Sequence, residues 1–563
     1  MGNSASTGIS TKSGTLHLVI IGLWLACVAR LGSRFYGVFI QSDFVTRVLL
    51  MIVGSSIALF WFYGCYHGMF LLFDHIVKRK PAFKTTALDV DPASLPRVAI
   101  LYATANDFSY EAALTCVRQE YGPHHVFLLD DSTNEAMMEL VDGFQREFPD
   151  ITTVVRRETR RGFKAGNLNN ALSIYAREYQ LFAICDADGH LPPDFLVKTV
   201  CYFLLDDKVA FVQANHRSKY HSQEKFVKDF EAAISTFWYR DQIARNRYGL
   251  VMFMGHGVIM RTDLWQRVGG FPEIVQEDTA ITLRLRRAGY HGHFAQDVVC
   301  GEDFPEDFLR YRRRYYRVVQ AELECFSREV LSFIRATQVG LVEKWDVLVR
   351  TLRLPTGSLV LPYVLCLSAL LPRLSRGEGP TALFSWDFAL MTVLASFGPC
   401  YPFMVDLWRE PLRLVHLIFH AITVSYSLIL LATLSLLTCI LVGEAHFVVT
   451  GDAASAKRRV KGLREFLGTL PANHPAIESS EILIALLLGS LGLITGNYAL
   501  LGVALALILA PLLSRFGWQN KALSLFAYLP FTLIVVSIVL GGLGFWGLKG
   551  QYLVLSGLSV LLF

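Results

Sequence analysis

Charge is scarce in this sequence. Asp, Glu, Lys and Arg supply 18% of its 563 residues, against 53% hydrophobic, and the charge-poor stretches lie before about residue 78 and after about residue 354. That distribution excludes an ordinary soluble chain and points to membrane segments around a soluble insert. A net charge of +5 is too small to argue nucleic-acid binding, so no nucleic acid is expected as a partner. It fits basic segments beside a lipid bilayer. The ten cysteines form no Cys-x-x-Cys pair. No metal cluster or disulfide framework is visible, and the cysteines read as reduced packing residues. A Gly-rich Walker loop is also missing, and the apolar half shows no internal repeat. Both absences argue against a transporter with a nucleotide-binding regulator.

The apolar stretches come next. Leu16 to Val28 is a first membrane helix or a signal sequence, followed by Arg30 and Arg34. Val48 to Phe73 is 26 residues without Asp, Glu, Lys or Arg, and a bilayer needs about 20. Lys78, Arg79, Lys80 and Lys84 follow, which places that end on the cytoplasmic side. Two spans then put the N-terminus inside too, where Met1-Gly2 with Ser6 fits a myristoylation pattern. After the insert, five runs lack those four residues: Leu354–Pro372, Phe388–Val405, Val415–Gly443, Ile482–Ser514 and Leu523–Leu548. The 33-residue run Ile482–Ser514 is too long for one comfortable span. Gly496-Asn497 predicts a hairpin or a kink within it.

From Arg97 the pattern changes. Val98–Tyr102, Val126–Leu129, Leu181–Cys185 and Val209–Gln213 read as buried strands, with helical patterns at Tyr110–Glu120 and Asn134–Phe148. Strand–helix alternation predicts an α/β fold with a mostly parallel sheet. Ligands bind beyond the carboxyl ends of such strands. Asn106 and Asp107 follow the first strand, Asp130 and Asp131 the second, and Asp186 and Asp188 a later one. Two carboxylates two residues apart at a strand end can project to one side. Hard oxygen donors of that kind suit Mg²⁺ or Mn²⁺ shared with substrate phosphates. The blander alternative for any one of them is an acidic surface turn. Three acidic strand ends in succession make that coincidence improbable.

On these motifs the middle of the chain resembles a family 2 glycosyltransferase. The whole architecture resembles the membrane-embedded processive synthases of the cellulose, curdlan and hyaluronan synthase superfamily. The resemblance spans roughly residues 97–325, with a second island near 447–452. It implies a multi-pass α-helical membrane protein with an inserted cytosolic α/β catalytic domain of the GT-A, Rossmann-like kind. In that family the first acidic residues hold the uridine of a UDP-sugar. Asp107 and Asp130-Asp131-Ser132 match them. Asp186-Ala187-Asp188 matches the metal and diphosphate motif, and Lys164-Ala165-Gly166-Asn167 matches the Lys-x-Gly-Asn segment before it. Gln276-Glu277-Asp278 matches the Thr-Glu-Asp segment of the catalytic base. Phe253-Met-Gly-His-Gly257, with Gly255 and His256, resembles the loop lining the acceptor-end sugar.

One segment departs from the pattern. The family's Gln-x-x-Arg-Trp aligns with Tyr311-Arg-Arg-Arg314-Tyr315, so Arg314 is retained while tyrosines replace both Gln and Trp. Arginine can clamp diphosphate, and Tyr315 can still offer an aromatic face to sugar. The change tilts the resemblance from cellulose toward a bacterial β-1,3 or mixed-linkage glucan synthase. Phe447-Val-Val-Thr450-Gly-Asp452 resembles a Phe-x-Val-Thr gating loop. It sits in a basic segment expected to be cytoplasmic.

The chemistry these residues offer stands beside the resemblance. Transfer from a UDP-sugar needs the leaving diphosphate stabilised, by a divalent ion on Asp188 and Asp186 and by Lys164. The acceptor hydroxyl must lose a proton, and Asp278 is the expected base, beside Glu277. An acid at a helix start is also a routine cap. One base and direct displacement imply inversion, with a β-linked product from an α-linked donor. The expected partners are a UDP-sugar, most simply UDP-glucose, a growing polysaccharide acceptor, the bilayer and accessory export subunits. The expected location is a bacterial inner membrane with the catalytic domain cytoplasmic. The expected units are membrane helices over 1–80, the catalytic domain over 81–345, membrane and interfacial helices over 346–443, the gating-like loop over 444–481 and closing membrane helices over 482–563. With the catalytic domain and the loop on one side, the chain crosses an even number of times between Leu354 and Gly443. One of the three runs there is therefore interfacial or folds back. Single addition of a sugar to a lipid-linked acceptor, or a chitin- or hyaluronan-type synthase using UDP-N-acetylglucosamine, are the alternatives.

Overall fold

The computed structural model describes residues 12–76, 95–218, 225–248, 250–374, 386–398, 400–442 and 471–542. Its α/β part is one seven-stranded sheet. The strands are β1 Val98–Thr104, β2 His124–Asp130, β3 Thr152–Val155, β4 Leu181–Asp186, β5 Val209–Ser218, β6 Val258–Arg261 and β7 His291–Glu302. They run in the order β3-β2-β1-β4-β6-β5-β7. Neighbours from β3 to β4 are parallel, as are β5 and β7, but β6 is antiparallel to both β4 and β5. The sheet is thus mixed. Periodicity carries no direction, so the reversed strand is a feature the sequence pattern could not show.

Strand alternation divides the core. Val98, Ile100 and Tyr102 of β1 pack with Ala112, Val141 and Phe195. These come from helices α3 (Tyr110–Val117), α4 (Glu135–Glu147) and α6 (Phe195–Leu205). Ala99 and Leu101 face the other way onto Leu168, Leu172, Ile281 and Leu285, as a period of two requires. Those residues belong to α5 (Phe163–Ile174) and α9 (Glu277–Arg287). Ser109 and Asn134 cap α3 and α4 by accepting from Ala112 N and Ala136 N; such caps contribute about 1 kcal/mol each.

Around this domain lie seven helices long and apolar enough, among the described residues, to cross a membrane. The first two, Lys12–Gln41 and Phe44–Ile76, precede the sheet. The 33-residue run is a hairpin: Pro475–Thr495 ends at Gly496 in the left-handed region, and Asn497 caps Tyr498–Phe516. The run Phe388–Val405 is not one helix. It is divided into Trp386–Phe397 and Tyr401–Asp406, each too short to span. Between residues 341 and 442, two helices among the described residues are long and apolar enough to span, Leu341–Leu374 and Pro411–Val442. The boundary expected at residue 345 falls inside the helix Leu341–Thr356. The gating-like residues Phe447 and Thr450, and Gly2, lie outside the described residues.

The two halves meet along a seam of buried charge. Helix α10, Phe308–Cys325, places Arg312 against Glu481 at 2.6 Å with both side chains fully buried; Arg312 also donates to Ala472 O. Helix α7, Lys225–Tyr248, places Arg245 between Asp241 and Asp346, and Tyr66 of the second membrane helix donates to Asp346 as well. Removing one partner of such a buried pair costs about 3–5 kcal/mol, because it strands the other charge.

Candidate active site

The register of the sheet builds a single rim. Thr104 of β1 lies opposite Asp130 of β2, and Ala103 lies opposite Asp186 of β4. The acidic strand ends therefore stand side by side, at the edge where α/β sheets bind ligands.

Asp107 is exposed and accepts from Thr104 Oγ1 at 2.8 Å and Ala105 N at 2.7 Å. Its neighbour Asn106 has φ of 69° and accepts from Thr133 N and Asn134 N, which ties the β1 and β2 ends together. Asp130 is buried, accepts from Ser132 N and pairs with Arg156 Nε at 2.8 Å. Asp131 is held by both Nε and Nη2 of Arg157, at 2.9 and 2.6 Å. The two arginines follow β3, a strand the sequence reading did not mark, so these partners were missed. Arg157 also donates to the Arg161 and Phe163 carbonyls at the start of α5. A side chain at Gly166 would run into the Arg161 carbonyl, which explains the glycine two residues after Lys164.

Lys164 is the centre of the rim. Its Nζ donates to Asp186 Oδ2 at 2.8 Å and to Gly255 O at 3.0 Å. Burial works against its charge, but Asp186, Glu277 and Asp278 outweigh that and raise its pKa. A side chain on Gly255 would meet Asp278 Oδ2 and Lys164 Nζ, each 3.8 Å from its Cβ, so these three groups converge. Helix α9 begins at Glu277. Its N-cap Gln276 makes no side-chain cap bond, and Gln276 Oε1 is buried with no hydrogen bond. Asp278 Oδ1 accepts from Thr279 N at 2.6 Å. Burial raises the carboxyls of both Glu277, to about 8, and Asp278; Asp278 adds to the rise of Glu277, and Lys164 opposes both.

Asp186 and Asp188 meet the requirement for a divalent ion. Asp186 Oδ1 is buried and accepts no hydrogen bond although it lies 2.6 Å from Lys164 Nζ. Although Asp188 is exposed, the protein packed around its carboxyl displaces enough water to raise it to about 6, His256 opposing and Asp186, Glu302 and Asp303 adding. Hard carboxylate oxygens left under-satisfied in this way suit Mg²⁺ or Mn²⁺.

The loop before β6 is fixed from below. Gln213 accepts from Met254 N and donates to His256 O and Gly257 O. Gln242 brackets Met252 with two bonds. His256 is buried, with Nε2 2.7 Å from Glu302 Oε2; burial opposes its charge, but Glu302, Asp186 and Asp188 prevail and raise its pKa. His216 stacks on it at 4.2 Å and reaches the same Glu302 oxygen at 3.2 Å. His256 is therefore held by Glu302 on its Nε2 side, while its buried Nδ1 lies beside Gly189 with no hydrogen bond. Gln213, His216 and Glu302 carried no motif and were not singled out in the sequence.

Helix α10 splits its family-like segment. Tyr311 packs on Phe230 at 5.3 Å, and the Tyr315 hydroxyl lies against Gly357. Arg314 stands 5.8 Å from the Trp238 ring. Arg317, one turn further, lies within the electrostatic reach of Glu277 and Arg314. Arg317 was the residue missed here. Arg314 and Arg317 lie one helical turn apart, three residues, which was the available signal.

Residues 98–321 match the family model described as "Glycosyltransferase like family 2". "Glucomannan 4-beta-mannosyltransferase 7" of Arabidopsis thaliana is 26% identical over 345 residues, which is 58% of this chain and 60% of that protein. "Glucomannan 4-beta-mannosyltransferase 1" of Cyamopsis tetragonoloba is 28% identical over 227 residues, 39% of this chain and 43% of that protein. The chain thus spans 60% or less of the length of these relatives. Among solved structures, "Mannosyltransferase PcManGT from Pyrobaculum calidifontis in complex with GDP-Man and Mn2+" is similar with a TM-score of 0.45 at 20% identity, covering 65% of this chain and 99% of that one. The α/β domain is GT-A-like, with candidate membrane helices on both sides of it in the sequence.

Proposed function

We propose that this chain is an inverting family 2 glycosyltransferase that builds a β-linked polysaccharide at a membrane from a nucleotide-diphosphate sugar. The convergence of Lys164, Asp186, Gly255 and Asp278 on one rim carries the reading. Donor and acceptor chemistry need those group types within one sugar's width.

In this reading Asp107, Asp130 and Asp131 shape the nucleoside end. Asp130 and Asp131 act through their arginines as much as directly. Asp186 and Asp188 hold a divalent ion, which supplies positive charge to the leaving diphosphate when bound. Lys164 adds a fixed cation, and Arg314 and Arg317 approach from α10. Asp278 accepts the proton of the acceptor hydroxyl as its oxygen bonds to the anomeric carbon. The bond to diphosphate breaks with its electron pair leaving on the phosphate oxygen. Burial of Asp278 raises its basicity, which favours proton acceptance near neutral pH. Glu277 and Gln276 frame the base, Gly255 gives the acceptor a close backbone approach, and His256 braces that loop from behind. Tyr311 and Tyr315 line the passage toward the membrane helices. Phe447 and Thr450 belong to the lid in this reading, and processive extension through the membrane helices completes it.

The names of the relatives favour mannose as the transferred sugar. The glucose expected from the sequence, like a bacterial source, finds no support among these proteins of Arabidopsis thaliana and Cyamopsis tetragonoloba. The deciding experiment incubates the purified protein and Mg²⁺ or Mn²⁺ with GDP-mannose, UDP-glucose or UDP-N-acetylglucosamine in turn. Linkage-specific hydrolases then digest the product. A β-linked polymer from one donor is expected. A single-sugar lipid product would replace polymerisation by single addition, and no transfer from any nucleotide sugar would sink the reading.

A further inference from the structure

Away from the rim, two elements distant in sequence bring two imidazoles and a carboxylate together. Asp229 comes from α7. His416 and His420 come from the helix Pro411–Ser427, and at a spacing of four they share one of its faces. His416 Nε2 lies 2.9 Å from Asp229 Oδ2, and His420 Nδ1 lies 3.7 Å from the same oxygen. One donor atom from each of the three sits within 4.8 Å of the others. The imidazole rings are 4.0 Å apart. On the far side of His416, Nδ1 is hydrogen-bonded with the Tyr528 hydroxyl, and the Trp518 ring lies edge-on to His420 at 4.8 Å.

We propose that Asp229, His416 and His420 form a second metal site, for Zn²⁺ or an ion of its class, that ties α7 to the membrane helices. Bonds of about 2.0–2.1 Å in a tetrahedral zinc site put ligand atoms roughly 3.4 Å apart. The distances of 2.9 and 3.7 Å from Asp229 bracket that value. Tyr528 on the opposite nitrogen of His416 is the arrangement that fixes a metal-bound imidazole in one orientation. The side chains of Asp229 and His416 are only 19% and 17% exposed, enough to leave a fourth position to water. Two nitrogens and one oxygen suit Zn²⁺ better than Mg²⁺ or Mn²⁺, which take oxygen donors. The site is therefore chemically separate from the carboxylates of Asp186 and Asp188. Its mechanical consequence follows from α7, which also carries Gln242, the residue bracketing Met252 below the acceptor loop. A metal here would hold that helix, and through it the loop, against the membrane half.

The test uses the full chain in detergent, purified on a tag without histidines and stripped with EDTA. Co²⁺ is titrated as the probe and followed by its visible absorption, and retained zinc is measured after dialysis against Mg²⁺. About one equivalent of Co²⁺ with tetrahedral bands is expected, displaced by Zn²⁺, with a rise in melting temperature on Zn²⁺ addition. The Asp186→Asn/Asp188→Asn double variant should keep all of this. His416→Gln, His420→Gln and Asp229→Asn should each lose it. Asp229→Asn can still bond to His416, so it reports on the metal if a histidine variant misfolds. A wild-type protein with no Co²⁺ bands and no Zn²⁺-dependent melting shift would overturn the site and leave a His–Asp hydrogen-bonded cluster. Undiminished metal in Asp229→Asn and His420→Gln would overturn it as well.

Discussion

Two regions of this molecule bury charge, and they do it in opposite ways. Along the seam, each buried charge has its counter-charge: Arg312 with Glu481, and Arg245 between Asp241 and Asp346. At the rim the sums do not close. Asp186, Glu277 and Asp278 crowd one Lys164, and the carboxyls of Asp188, Glu277 and Asp278 are raised. Paired charge holds helices in place, even though Arg312 Nη1 and Glu481 Oε2 still lack hydrogen bonds. An excess of one sign is, in the proposed reading, the condition a site keeps for something that arrives later: phosphate, a divalent ion and an acceptor proton.

The sharpest way to break this contrast is to remove one acid from each region. Asp278→Asn should lower sugar transfer by about 10²–10⁴, the usual worth of a positioned base. Its melting temperature should hold or rise, because a desolvated like charge has been removed. Nucleotide binding by calorimetry should persist. A variant that unfolds yet keeps its turnover per folded molecule would make Asp278 a helix cap and place the rim with the seam.

Arg312→Ala should do the reverse. Stranding Glu481 costs about 3–5 kcal/mol, read as a fall in melting temperature in detergent, with transfer per folded molecule largely kept. The paired change Arg312→Met/Glu481→Leu should restore most of that stability, since a well-packed apolar pair replaces a buried ion pair at little cost. If the double variant is as unstable as the single one, the seam's charges do more than close each other.

Asp188→Asn, or excess chelator on the wild type, should abolish most transfer while leaving the melting profile of the membrane helices in place. Activity undiminished under both would remove the divalent ion from the rim.

How legible each region was follows from the same contrast. Acidic strand ends could be read in sequence because strand and motif are local: Asp130, Asp186 and Asp188 sit where a buried run stops. Arg156 and Arg157 could not be read, because β3 is a four-residue strand, Thr152–Val155, with half its side chains polar. The reversed strand β6 was equally hidden, since four apolar residues carry no direction. Arg312 was hidden in a different way. In Tyr311-Arg-Arg-Arg-Tyr315 three arginines look alike, and only packing shows that the first is fully buried, the second exposed and the third near Trp238. The hairpin at Gly496-Asn497 was legible because a left-handed glycine followed by an Asn cap is a local signal. The pairing of Asp229 with His416 spans 187 positions, and nothing local announces it.

The smallest expected effect is also the most specific to the rim. With Asp278 as the proposed base, transfer needs it as a carboxylate, and its pKa is raised by burial, with the Thr279 N hydrogen bond and Lys164 pulling the other way. A raised pKa means that protons bind at a higher pH than for an ordinary aspartate. As pH falls, kcat/KM should therefore begin to drop before it reaches the usual carboxylate range. Glu277 is raised as well, by burial and then by Asp278 itself, so the two acids titrate as a pair and the apparent values belong to both. Glu277, raised to about 8, keeps its proton in the range where Asp278 loses its own. Glu277→Gln therefore resembles the protonated acid, and the acid limb of kcat/KM should stay close to its wild-type position, with a modest change in the plateau. Lys164→Met removes the cation that opposes burial at Asp278, so in that variant the limb should move to higher pH. Measuring the three profiles in one buffer series separates the possibilities. A limb that stays fixed in Lys164→Met would mean that the titrating group does not face this lysine, and the base would have to be sought among groups other than Asp278.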